Sequence, residues 1–571
     1  MPMKSRSGLS RGALAAALLL GLASAPAQAQ GDGDGVTGRL IELLVKKGVV
    51  PRDEANALLA EARAEKARSA KQPAKSVSTG KPAAPVAEST SPEEPIASGT
   101  VRVTYVPQIV RDQIAQQVRT DLSRSVANGD LPPPGQGSES TSRFRFFGDL
   151  RLRGQLDQFP GGNAPQFPDF AALNSGSPFD ITGTQGAVPL LNSTHDRWRP
   201  RLRARAGVEA RIDDGLTAEV RLATGNDASP VSPNQTFGQN GPFTKYAVWL
   251  DRAFLKEVPN DWLTLYAGRM PNPFWTTDLI YYDDLGFDGF AASAAPRIAE
   301  TLKGFVTAGA FPVFNTALNF GSTSANSSFA SRDAWLFAVQ AGGEWQATKE
   351  VTAKFAAGYF SYSNVSGKIS SPCTIVFSSD VCDTDNSRAL FPGSGNTMIP
   401  VRNLVIAPNN TQPQFFGLAS PFRILDLHGR IDLDYFKPIG VAFETEFAVN
   451  LAFDRNRAVA LGVNNFGSAG LPSPGNKAWM IKVSVGKPEI RERWDWNTSL
   501  AYKYIESDAV LASLNDPDFH LGGTNAKGFI LAGNLGIARN AWVTARWLSS
   551  TQVSGAPYVV DVIQADLNVR F

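Results

Sequence analysis

From Arg197 to Arg205 every second residue is an arginine, and few folds can satisfy that pattern. The odd positions run Arg197, Arg199, Arg201, Arg203, Arg205, Gly207, Glu209 and Arg211. The even positions run Trp198, Pro200, Leu202, Ala204, Ala206, Val208, Ala210 and Ile212. Successive side chains of an extended strand point to opposite faces, so one face is cationic and the other apolar. On a helix the same arginines would scatter around the whole circumference. The apolar face needs greasy surroundings and the cationic face needs water or anions. A soluble sandwich supplies both, and so does a membrane barrel with lipid outside and a wet lumen inside.

The ends of the chain favour the second solution. Lys4, Arg6 and Arg11 precede an apolar run from Ala13 to Ala23, and Ala27-Gln28-Ala29 follows as an A-x-A cleavage signal. Residues 1–29 therefore read as a secretory signal peptide, too short in its apolar core to span a membrane. Two amphipathic stretches within 30–70 read as short periplasmic helices, the second opening at Pro51-Arg52-Asp53-Glu54. Residues 71–100, rich in Pro, Ala, Ser and Lys, read as a disordered linker. In 101–130 the residues Ile109, Val110, Ile114, Val118 and Leu122 form a narrow apolar stripe. That stripe suits a periplasmic helix, docked locally or paired in a coiled coil between copies.

From Ser142 onward the period is two. Phe144, Phe146, Gly148, Leu150 and Leu152 alternate with Arg145, Asp149, Arg151 and Arg153, and later segments repeat the pattern. About sixteen antiparallel strands follow over 142–571, joined by connections that alternate between very short and long. Short turns on the periplasmic side and long loops outside are what a bacterial outer-membrane barrel requires. The expected fold is thus an all-β membrane barrel preceded by a short α-helical periplasmic region. Sixteen strands leave an aqueous channel where eight would be filled by side chains.

The last strand alternates Ile563, Ala565, Leu567 and Val569 with polar residues and stops at Phe571. A terminal aromatic on such a strand resembles the signal read by the barrel assembly machinery. Several stretches, in order, resemble one family, the "putative porins" of Gram-negative bacteria that carry a periplasmic helical prefix. They are Tyr105-Val106-Pro107, Gly148-Asp149-Leu150-Arg151-Leu152-Arg153, Asp196-Arg197-Trp198-Arg199 and Arg221-Leu222-Ala223-Thr224-Gly225-Asn226. Val248-Trp249-Leu250-Asp251 and Gly268-Arg269-Met270-Pro271-Asn272-Pro273-Phe274 continue the series. The resemblance implies a homotrimeric outer-membrane channel in contact with lipid and lipopolysaccharide, and it specifies no solute.

Arginines facing lipid near the midplane would cost about 2–4 kcal/mol each, so the ladder is expected to face the lumen. One wall would then carry Arg145, Arg151, Arg153, Arg197, Arg199, Arg201, Arg203 and Arg205. Half a circuit away the inward positions are Arg430, Asp432, Asp434, Glu444 and Glu446, so a basic wall would face an acidic one. Walls of charge select ions by sign. The acidic, aromatic run after Phe274 holds Asp278, Asp283 and Asp284. It is either a loop folded inward to make a constriction or an ordinary external loop. The ladder could also serve mainly to pair with acids such as Asp149 and Glu209.

The two cysteines, Cys373 and Cys382, share one polar segment and read as a loop disulfide, with no histidine nearby to make a metal site. His195, His428 and His520 sit in no catalytic or metal-ligating spacing, so no catalytic residues, metal or cofactor are expected. Basic and acidic residues number 55 and 53, which gives no bias toward nucleic acid. The expected function is passive diffusion of small hydrophilic solutes or ions, with a preference for anions. The alternative is a structural barrel that contacts the cell wall through its periplasmic helices.

Overall fold

The computed structural model describes residues 143–571 apart from 183–186, 226–228, 240, 317–331, 378–379, 408–409 and 464–472. The expected signal peptide, periplasmic helices and linker lie outside the described residues. Among the described residues, sixteen long strands follow one another around a single sheet. They are β1 (Phe144–Gln158), β2 (Arg197–Arg211), β3 (Leu216–Thr224), β4 (Val248–Asn260), β5 (Leu263–Pro271), β6 (Gly286–Ala294), β7 (Leu302–Phe314) and β8 (Ala334–Gln346). The second half comprises β9 (Val351–Ser363), β10 (Arg423–Phe436), β11 (Ile439–Asn450), β12 (Lys477–Gly486), β13 (Trp496–Ile505), β14 (Ala526–Ala538), β15 (Ala541–Gln552) and β16 (Val559–Arg570).

Every neighbouring pair is antiparallel, and β1 pairs with both β2 and β16, which closes the sheet into a barrel. Closure leaves no unpaired edge, the condition for a sheet to cross hydrocarbon. Glycine makes room at the seam. Phe571 exchanges backbone hydrogen bonds with Gly148 at 2.9 and 3.0 Å, and a Cβ on Gly148 would lie 2.6 Å from both the Phe571 ring and the Arg205 carbonyl. Six residues further along β1, the Trp198 ring lies over Gly154 in the same way.

The outer face is apolar and exposed, with Leu150, Leu152, Leu222, Val306, Phe337, Phe443, Leu531 and Ile563 among its residues. Such a belt is stable only in lipid. Trp335 and Trp345 mark its two rims on β8. The ten residue steps from one to the other span about 33 Å of strand, and at a tilt near 40° that is about 25 Å of height, the band a barrel presents to the bilayer. Among the described residues no helix is long and apolar enough to cross a membrane.

At one end the strands are joined by turns of two to nine residues. At the other, seven of eight connections run from 14 to 59 residues, and only 553–558 departs from the alternation by being short. Described parts of several of these connections fold inward or pack on one another. Residues 364–422 bury Ile375, Met398, Ile399, Val401, Phe415 and Phe416, and they carry the Cys373–Cys382 disulfide and the buried Arg402–Asp385 pair at 2.5 Å. Asn174 ties the first long connection to them through the carbonyls of Ala389 and Phe416, each at 2.8 Å.

Candidate functional site

Strand register places the ladder. Asp149 lies opposite Arg205, Arg151 opposite Arg203 and Arg153 opposite Arg201, so β1 and β2 bring their charges to one inner wall. Most of those charges are paired. Arg145 meets Glu209 at 2.9 Å near the short-turn end, and Arg199 meets Asp157 at 2.7 Å. Arg153 is held by Asp566 of β16 at 2.8 Å and by Asp518 at 2.7 Å. Arg203 and Arg205 share Asp149, at 2.9 and 2.7 Å, and Asp284, at 3.1 and 2.6 Å. Arg151, Arg197 and Arg201 have no carboxylate within 4 Å among the described residues. The wall is therefore a lattice of pairs with three cations left over, because acids arrive from loops and from β16 as well as from β1 and β2.

The connection between β5 and β6 supplies one of those acids, and it crosses the lumen. Asn272 accepts from the Phe274 N–H at 3.0 Å and turns the chain inward. Trp275 then donates its N–H to Gln340 of β8 at 2.8 Å and stacks on His428 of β10 with ring centroids 3.7 Å apart. Thr277 donates its hydroxyl and its N–H to Glu446 of β11. Asp278 meets Lys503 of β13 at 2.7 Å, and the Tyr281 and Tyr362 hydroxyls lie 2.8 Å apart. The segment ends with Asp284 on Arg203 and Arg205, so it is anchored to both sides of the barrel. Asp278 touches a lysine rather than the arginine ladder.

Lys503 also binds Asp516 at 3.1 Å, and Arg546 of β15 reaches Asp518 at 3.1 Å. Asp516 and Asp518 flank Pro517 in the connection 506–525, and period-two reading does not single them out. The sequence shows only two acids flanking a proline there, and it gives no sign that the loop turns inward. His520, in the same connection, is fully packed, contacts the Ser550 hydroxyl at 2.9 Å, and is pushed down by burial to about 4.

The opposite wall is mixed rather than acidic. Arg430 binds Asp432 at 2.7 Å and lies 3.6 Å from Glu444. Lys482 and His428 each approach Glu444 at 3.4 Å. Asp434 sits near Lys437 at 3.6 Å by the short-turn end. Glu446 faces inward but is wholly buried beneath Thr277, and the buried Asp426 has no hydrogen-bond partner on either oxygen among the described residues. Glu446 thus anchors the crossing segment and does not line a water column. The inner surface open to solvent includes Asp149, Arg199, Arg203, Arg205, Arg430, Asp432 and Lys482.

Charge on the crossing segment is set by these neighbours. Burial pushes the Asp278 carboxyl up, but the Lys503 ammonium outweighs that and holds it below the usual range. Arg203 and Arg205 do the same for Asp284. Asp283 is exposed, and among the described residues it makes no such ion pair. The enclosing protein and the nearby charges of Asp278 and Asp284 push it up to about 6, with Lys482 opposing.

A closed barrel with an apolar belt, a charged lumen and an inward loop anchored across it is the build of an outer-membrane channel. The family described as "Putative porin" matches residues 34–571, and the chain belongs to it. Family and fold together point to a channel rather than an enzyme. Comparison with curated protein sequences gives no match. Among solved structures, the chain is similar to the outer membrane channel DcaP of Acinetobacter baumannii, at 10% identity over 76% of this chain and 99% of that one, with a TM-score of 0.35. It is also similar to OprB of Pseudomonas putida, at 10% identity over 76% and 95% of the two chains, with a TM-score of 0.39. OmpT of Vibrio cholerae, in a trimer form, gives 9% identity over 75% and 99%, with a TM-score of 0.34.

Proposed function

We propose that the chain is a passive diffusion channel for small hydrophilic solutes, with a preference for anions set by the wall of β1 and β2. The long connections face the cell exterior and the short turns face the periplasm, as in other bacterial barrels. The observation that carries the anion preference is the surplus on that wall: Arg151, Arg197 and Arg201 lack a carboxylate partner among the described residues. In a narrow lumen with low-dielectric walls, unpaired cations concentrate anions and repel cations.

The test is the reversal potential of the purified protein in a planar bilayer under a potassium chloride gradient. The wild type is expected to favour chloride. Arg197→Gln combined with Arg201→Gln spares every ion pair that anchors the crossing segment. It should lower the anion-to-cation permeability ratio about twofold or more. A reversal potential on the cation side, or folded protein that carries no current, overturns the reading.

A further inference from the structure

Arg151 is 7% exposed and donates one side-chain hydrogen bond, from Nη2 to Asn234 Oδ1 at 2.6 Å. A guanidinium carries five N–H donors, and among the described residues the buried Nε of Arg151 has no acceptor. Arg201 is in the same condition. Its Nη1 reaches Gln155 Oε1 at 3.1 Å and its Nη2 reaches Ser232 Oγ at 3.4 Å, while Nε is buried without an acceptor. Asn234 Nδ2 donates to Ser232 Oγ at 3.3 Å, so the two guanidiniums stand at either end of a bridge made by Asn234 and Ser232.

That bridge is fixed in place. Gln235 and Thr236 pair as a short strand beside β2, opposite Leu202 and Arg201, where the pairing of β2 with β3 has ended, which holds the segment 232–236 alongside the arginines. The carboxylates around it are occupied. Asp566 and Asp518 hold Arg153, Asp518 also holds Arg546, Asp157 holds Arg199, and Asp149 and Asp284 hold Arg203 and Arg205.

Two guanidiniums whose hydrogen-bond partners among the described residues are all neutral are costly to withdraw from water, because amides and a hydroxyl offset little of the lost hydration. An anion would offset it. We infer that Arg151 and Arg201, with the Asn234–Ser232 bridge between them, form a binding site for one small oxyanion, a carboxylate or a phosphate. The planar forks of the two arginines suit the paired oxygens of such groups. The site rests on the anion-channel reading and gives it a place where a permeating anion pauses. A bound oxyanion would complete both guanidiniums while leaving the pinned pairs undisturbed.

The experiment is calorimetric titration of the folded, detergent-solubilised full chain with inorganic phosphate, and separately with acetate, at low ionic strength. One saturable phosphate site is expected, with acetate competing for it. Arg151→Gln should weaken it at least tenfold. Ser232→Asp, which installs a carboxylate between the guanidiniums, should abolish it and raise the temperature at which the barrel loses its folded mobility in gels. That second variant keeps the test open if Arg151→Gln does not fold. No saturable heat in the wild type, or an affinity unchanged in both variants, overturns the site. A wild type that prefers anions in the bilayer yet binds neither probe removes the site and keeps the channel reading. Saturable binding by a protein without anion preference supports the site and removes the preference.

Discussion

Arg153 donates to Asp566 on the adjoining strand and to Asp518 from a loop, and all three side chains are almost wholly buried. Removing one partner from such a cluster leaves an uncompensated charge in the wall, at a cost of about 3–5 kcal/mol. Asp518→Asn is therefore expected to destabilise the barrel toward the lower end of that range, since Asp566 remains. The readout is a fall in the urea concentration at which the folded gel band disappears. An unchanged midpoint would mean the cluster is solvated. Period-two reading gave the inward direction of Arg153 and of Asp566, but not their meeting, because the pair is 413 residues apart and exists only once the sheet closes. Asp518 was out of reach for a different reason: loop paths carry no periodic signal.

At the scale of the element, the segment between β5 and β6 was legible as acidic and aromatic, with its inward course left open. Its partners were not. Lys503 and Glu446 sit on strands whose alternation shows direction alone, and what rests on an inward side chain depends on the fold of another connection. Asp283 makes this segment sensitive to pH. Its carboxyl is charged above about 6 and neutral below, so acidification removes a negative charge from the lumen. Anion preference should rise as pH falls from 7 to 5, read from reversal potentials at stepped pH. Asp283→Asn should hold the low-pH value throughout. A variant that still titrates as the wild type does would show that another group is responsible.

For the whole molecule, alternating side chains and alternating connection lengths were enough to give strand number and closure, since lipid forbids an open edge. The short connection 553–558 escaped because nothing on a periodic strand fixes the length of the link beyond it. Closure itself depends on small contacts at the seam. Gly148→Val should lower the thermal midpoint of the folded band by the equivalent of about 1–3 kcal/mol of overpacking. Adding Phe571→Ala should restore only part of that, because the Arg205 carbonyl still occupies the space. Full restoration would show that the ring is the whole obstacle.

The segment from Phe274 to Asp284 is fastened at Glu446 and Lys503 on one side and at Arg203 and Arg205 on the other. In mechanical terms it is a tie-beam across a hollow cylinder. A thin-walled tube resists flattening poorly, and one stiff member across its bore suppresses the mode that turns a circular section into an oval. Lateral pressure from the bilayer is then carried partly through the bore and not by the wall alone. Releasing either fastening would make the cylinder easier to squeeze before a single strand separates.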